Sequence, residues 1–166
     1  MIYLVYGTPS KMRTLRAVFI GESSVGKTTL LRRASKDSGR IVPTIGVDNA
    51  LFDYDGVFFQ CWDTSGQPQF RTVAKMFIEK SRLVIYMYDA SKPETFVSEN
   101  VPENAIIIAN VSERGTFPLD RDHLPFSDSN PQSIKDILDL LKTYAIVEPS
   151  FSEENRPECC CCFNCT

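Results

Sequence analysis

Residues 21–28 read Gly21-Glu22-Ser23-Ser24-Val25-Gly26-Lys27-Thr28, a G-x-x-x-x-G-K-[ST] string. It lies between an apolar run, 14–21, and a segment of helical character, 27–36, which is the strand-loop-helix setting that the string requires. Glycines at both ends let the backbone curl so that successive N–H groups aim at one anion. The following helix N-terminus adds partial positive charge there. Lys27 is placed to reach β- and γ-phosphate oxygens, and the Thr28 hydroxyl to ligate a divalent cation. A strand feeding such a loop and helix restricts the fold to layered α/β architectures with a mostly parallel sheet.

The rest of the chain agrees with that restriction. Segments 50–54 and 57–63 flank Asp55-Gly56, a strong hairpin signal. Segment 69–81 reads as a short helix, and 83–89 and 104–110 as near-continuous apolar strands of a parallel sheet. Segment 133–146 places Ile134, Ile137, Leu138, Leu141 and Ala145 on one helical face, with Ser133 or Asn130 as N-cap and Pro131 in the first turn. Segment 39–49 reads as a loop. The chain has 166 residues, 43% hydrophobic and 23% charged, enough for one domain with a core. Its formal charge of −3 argues against a generic nucleic-acid binder.

Asp63 ends segment 57–63 and is followed by Thr64-Ser65-Gly66-Gln67. By itself, D-x-x-G also describes an ordinary strand-end turn. Beside a phosphate loop, the carboxylate is placed to hold Mg²⁺ opposite Thr28, Gly66 to leave its N–H open to a γ-phosphate, and Gln67 to orient water. GESSVGKTTLL, PTIGVD and WDTSGQPQFRT resemble the first three nucleotide-binding motifs of the Ras superfamily. TIGVD and the W-D-T-x-G-Q-x-x-F-R-T string are most similar to the Rab subfamily, and YDASKPETF resembles that family's fourth-strand exit.

The resemblance implies a phosphate-loop NTPase fold, the Ras-like G domain, binding GTP or GDP with Mg²⁺. The nucleotide would be held by Gly21 through Thr29 (Gly21, Glu22, Ser23, Ser24, Val25, Gly26, Lys27, Thr28, Thr29), with Thr44 and Gly66 at the γ-phosphate. Thr28, Thr44 and Asp63 would hold the metal. Lys27, Thr44 and Gln67 would carry catalysis, with Ser23 at a position kept small for hydrolysis. Thr44 also reads as a plain loop threonine after Pro43. Phe70 and Trp62 read as packing and partner-contact residues, and Phe52 and Phe59 as core or strand-face residues.

The base-reading half departs from the pattern. Asn110-Val111-Ser112-Glu113 stands where the family has N-K-x-D, and Ser127-Asp128-Ser129 where it has S-A-K. Asn110, Glu113 and Ser127 are the candidate base contacts. Val111 removes a lysine stem, Glu113 sets its carboxylate one methylene farther out, and Asp128 adds negative charge. About 14 residues separate Asp89 from the next strand, interrupted by Pro93 and Pro102, barely the dozen that a parallel crossover needs. The third helix is therefore expected to shrink to a turn or two. The fourth is expected to be missing between Asn110 and Ser127, where Gly115, Pro118 and Pro125 fall.

Five of six cysteines, Cys159, Cys160, Cys161, Cys162 and Cys165, crowd the last eight residues. Such spacing suits lipid attachment or a metal-binding tract better than disulfides. By the resemblance, Cys161, Cys162 and Cys165 would carry geranylgeranyl groups, although CCCCFNCT departs from the family's endings. The flanking SEENRPE is acidic, so two chains would be needed for stable anchoring. MIYLVY at the start is too short for an export signal and reads as an edge strand or loose extension. A reducing cytosol then leaves Cys61 a free core thiol.

The expected organisation is an extension at 1–13, a G domain at 14–148 and a tail at 149–166. The expected function is a Rab-like switch of vesicle trafficking on the cytosolic face of intracellular membranes. Its partners would be an exchange factor, a GTPase-activating protein and effectors. Pro68 holds Gln67 extended and no arginine is placed in cis, so hydrolysis is expected to be slow. Two other readings stay open: a nucleotide-locked pseudo-GTPase acting as an interaction module, and a phosphate-loop enzyme of another base preference.

Overall fold

The computed structural model describes residues 13–111 and 123–147. The run before the phosphate loop forms β1 (Arg13–Ile20), and α1 (Lys27–Ser35) follows the loop. The hairpin strands are β2 (Val47–Tyr54) and β3 (Val57–Thr64). Asp55 and Gly56 between them have φ of 46° and 75°, the left-handed pair whose twist matches that of hairpin strands. A 3-10 turn at Pro68–Phe70 enters α2 (Arg71–Lys80). Then come β4 (Leu83–Asp89), β5 (Ile106–Asn110), β6 (His123–Phe126), α3 (Pro131–Lys142) and β7 (Ile146–Val147).

The strands form one sheet in the order β2-β3-β1-β4-β5-β6, with β7 pairing β1 off that path. From β3 to β6 every neighbouring pair is parallel; β2 is antiparallel to β3, and β7 to the start of β1. β1 and β4 occupy the middle and are buried along nearly their whole length, as their unbroken apolar runs predict.

One face of the sheet packs α1 and α3. Leu30 and Leu31 meet Phe19, Phe59 and Cys61, while Ile137, Leu138 and Leu141 complete the cluster. Ile134 and Ala145 pack at its margin. Asn130 is the N-cap of α3, its side chain accepting from the Gln132 N–H, and Pro131 fills the first turn. Phe52 and Phe59 stack at 5.0 Å on this face, and Cys61 is a buried free thiol whose pKa burial pushes up.

The other face is covered by α2 and by the β4–β5 crossover. No full helix forms in that crossover, as expected; it contains only 3-10 turns at Pro93–Thr95 and Ser98–Asn100. Tyr86 substitutes for a helix as its anchor. Its buried hydroxyl accepts from the Val97 N–H at 3.0 Å and donates to the Thr95 carbonyl at 3.2 Å. Phe96 packs edge-on against both Tyr86 and Tyr88.

Three differences from the expected elements have structural causes. β2 begins at Val47, inside the segment read as loop, because Val47 and Asp48 extend the ladder to Thr64 and Asp63. β6 has four residues including Pro125, too short and irregular for periodicity to reveal. β7 has two, and its pairing partner lies at the far end of the chain. The expectation about a fourth helix falls mainly on residues outside those described.

Candidate functional site

The site grows from the carboxyl ends of β1 and β3. Gly21 leaves β1 with φ of 136°, and a Cβ there would lie 2.0 Å from the Met87 carbonyl oxygen. Only glycine lets the loop pass so close to β4. Gly26, with φ of 103°, is the N-cap of α1, and no side chain caps that end. The first N–H groups of α1 are thus left for an outside acceptor.

Lys27 folds back under the loop and is 5% exposed. Its Nζ donates to the Gly21 and Glu22 carbonyls at 2.8 and 2.7 Å. Burial lowers its pKa to about 8, against the opposing pull of the Asp63 and Glu22 carboxylates.

Three oxygens converge beside it. Thr28 Oγ1 and Thr44 Oγ1 donate to Asp63 Oδ2 at 2.5 and 3.0 Å, and the two hydroxyls lie 3.1 Å apart. The second carboxylate oxygen, Asp63 Oδ1, is buried with no hydrogen-bond partner among the described residues. Burial raises the Asp63 pKa; the two hydroxyls and Lys27 oppose that, and Asp48 adds to it. A hard, all-oxygen set with an unsatisfied buried carboxylate oxygen fits a small divalent cation such as Mg²⁺. Among the described residues no group of three or more His, Cys, Asp and Glu is arranged to hold a metal, so this one-carboxylate set would need outside oxygens as well.

Segments 23–29, 41–44 and 64–67 line one cavity of about 410 Å³. The phosphate loop, Thr44, Gly66 and Gln67 therefore border one cavity. A Cβ on Gly66 would lie 2.2 Å from Glu22 C and Ser23 N, so the D-x-x-G turn seats directly on the phosphate loop. Gln67 is extended, with φ −76° and ψ 139° ahead of Pro68, as the following proline dictates. Its Oε1 accepts from Gln69 Nε2 at 2.7 Å. Arg71, at the start of α2, pairs with Glu22 at 3.2 Å.

Of the base-reading candidates, Asn110 and Ser127 sit outside that cavity's lining. Asn110 Nδ2 donates to the Val25 carbonyl at 3.1 Å, tying β5 to the phosphate loop. Ser127 follows β6, its N–H donating to Ser133 Oγ and its hydroxyl 3.1 Å from that of Ser129. The added charge of Asp128 is matched by Arg33 of α1 in a two-pronged pair at 2.6 and 3.0 Å. Glu113, Cys161, Cys162 and Cys165 lie outside the described residues. Trp62 is half-buried against Phe77 at 5.4 Å. The places of Asp48 opposite Asp63 and of Arg33 beside Asp128, and the Arg71–Glu22 contact, were not visible in the sequence, because each depends on strand register or distant packing.

A mostly parallel sheet with this loop at the end of β1 defines a phosphate-loop nucleotide-binding fold. Residues 16–113 match the family described as Ras of Complex, Roc, domain of DAPkinase. The chain therefore belongs to the Roc and Ras-like GTPase domain family, as a divergent, Rab-like member with few helices among its described residues. It is 38% identical over 92 residues to the human EF-hand calcium-binding domain-containing protein 4B, covering 52% of this chain and 13% of that protein. It is 38% identical to Ras-related protein Rab-7B of Dictyostelium discoideum over 50% of this chain and 43% of the relative. With Ras-related protein Rab-18-B of Danio rerio it shares 37% over 51% of this chain and 44% of the relative. The match thus spans less than half the length of each of these relatives. Among the described residues no helix is long and apolar enough to cross a membrane.

Proposed function

We propose that this chain binds GTP and GDP with Mg²⁺, hydrolyses GTP slowly, and switches the segments around Thr44 and Gly66 with the nucleotide state. The observation that carries this reading is the convergence of Thr28, Thr44 and Asp63 next to buried Lys27. Lys27 neutralises phosphate charge, and the loop N–H groups from Gly21 to Thr29 orient the phosphates. Thr28, Thr44 and Asp63 hold the metal, which when bound neutralises charge on the transferring phosphoryl group. Gln67 positions water. Its side-chain oxygen accepts from Gln69 in an exposed contact that competes with water positioning. That, the extended Gln67-Pro68 geometry and a cavity lining without arginine support slow turnover unless a partner supplies the missing cation.

Asn110, Ser127 and Glu113 read the base in this proposal. The G domain runs from 14 to 148, between an extension at 1–13 and a tail at 149–166. Rab-like motifs support a trafficking role with an exchange factor, a GTPase-activating protein and effectors. Lipidation at Cys161, Cys162 or Cys165 would place the protein on the cytosolic face of intracellular membranes. Ordering of two loops by the γ-phosphate is the readout that partners would take.

Equilibrium binding of labelled GTP, GDP and ATP to the purified chain, followed by single-turnover hydrolysis, tests the reading. Preference for guanine nucleotides with slow phosphate release is expected. Equal binding of ATP, or rapid turnover without a partner, would refute it.

A further inference from the structure

The cation oxygens have a second neighbour in Asp48, the last residue of the PTIGVD string, to which the motif reading gives no role. β2 and β3 pair with Asp48 directly across from Asp63. The same register sets Ala50 against Cys61, Phe52 against Phe59 and Tyr54 against Val57, and these residues pack in the core on the α1 side. Strand alternation therefore puts both carboxylates on that face, at the end of an otherwise apolar ladder. Like charges directly opposite on a sheet are destabilising, and a cation beside them reverses that sign.

The surroundings give such a cation room. A second cavity, of about 280 Å³, is lined by Thr28, Asp48 and Asp63 together with Arg32 and Asp37. Thr28 borders both cavities, so this one adjoins the metal-ligating oxygens. Asp63, 3% exposed, carries the Oδ1 that has no hydrogen-bond partner among the described residues. Arg32 does not neutralise the pair: it donates to the Arg40 carbonyl at 2.6 Å and lies 3.9 Å from Asp37. Asp48 spends one oxygen on the Asn49 N–H at 2.8 Å.

We propose that Asp48 is an outer anchor for the divalent cation, holding it through the cation's own bound water and raising Mg²⁺ affinity without touching the nucleotide. The inference rests on the nucleotide reading above. Mg²⁺ dehydrates reluctantly and keeps several waters, so a carboxylate across from its direct ligand is well placed to bind them. Asp48 is thus a positioning residue, with no role in moving phosphoryl groups.

The test titrates Mg²⁺, and separately Mn²⁺ read by electron paramagnetic resonance, into the GDP-loaded full-length chain. Wild type, Asp48→Asn and Asp48→Glu are compared. Asp48→Asn preserves the acceptor for Asn49 N–H and removes only charge. It is expected to weaken Mg²⁺ about 10-fold, the lower end for outer ligands, with Asp48→Glu near wild type. GDP affinity in EDTA should stay unchanged, and metal-free Asp48→Asn should melt higher than wild type because the repulsion is gone. An unchanged Mg²⁺ midpoint in Asp48→Asn, or an equal loss of GDP in EDTA, overturns the proposal. If wild type holds GDP with no dependence on Mg²⁺, the nucleotide reading itself falls and takes this inference with it.

Discussion

Lys27 meets two opposed demands, burial and charge. Its ammonium is held by two loop carbonyls, yet desolvation brings its pKa down to about 8. The unfolded chain keeps the ordinary lysine value, near 10.5. Between those values the unfolded state binds more protons, so this residue makes the ligand-free fold more stable as pH rises through that window. The phosphate binding proposed for this residue would run the other way. Above about pH 8 the free protein has begun to lose the proton that the complex needs, so binding takes one up and weakens. Calorimetry in two buffers of different ionisation heat should therefore show proton uptake and falling affinity above about pH 8, and Lys27→Ala should abolish both trends. Asp63 is similarly divided: its Oδ2 accepts two hydroxyls, while Oδ1 has no hydrogen-bond partner among the described residues.

Short elements stand in for long ones across this fold. The β4–β5 crossover covers its sheet face with two 3-10 turns, which Tyr86 binds through one hydroxyl. Tyr86→Phe leaves the Val97 N–H without that acceptor, and urea unfolding should show a loss of about 1–2 kcal/mol. The base-side loop is fastened differently. Arg33 on α1 grips Asp128 between β6 and α3, and the contact lowers the Asp128 pKa chiefly by hydrogen bonding. Because the pair is exposed, its effect is modest. Arg33→Asp should speed GDP release by no more than about fivefold, as exposed pairs allow, and the exchange Arg33→Asp with Asp128→Arg should restore it. Stopped-flow release of a fluorescent GDP analogue measures both.

Across the whole molecule, what was legible in the sequence was what is encoded locally. The phosphate loop, the Asp55-Gly56 hairpin, the Asn130 cap and the extended Gln67 each depend on residues a few positions apart. The pairing of Thr28 with Asp63 was legible from the two motifs, and the place of Thr44 beside them only through the family resemblance. What was hidden needed distance or register: Asp48 across from Asp63, Asp128 on Arg33 95 residues away, and β6, whose four residues take their place from β5. Gly66 was visible as a motif letter, but its seat against Glu22 and Ser23 was not. The central claim is that Lys27, Thr28 and Asp63 hold a phosphate chain with its metal. Measuring GDP release from wild type, Lys27→Ala and Asp63→Ala, in Mg²⁺ and in EDTA, addresses it directly. Retention by wild type in Mg²⁺, fast loss in EDTA and fast loss from both variants are predicted; release that ignores the metal and both substitutions would contradict it.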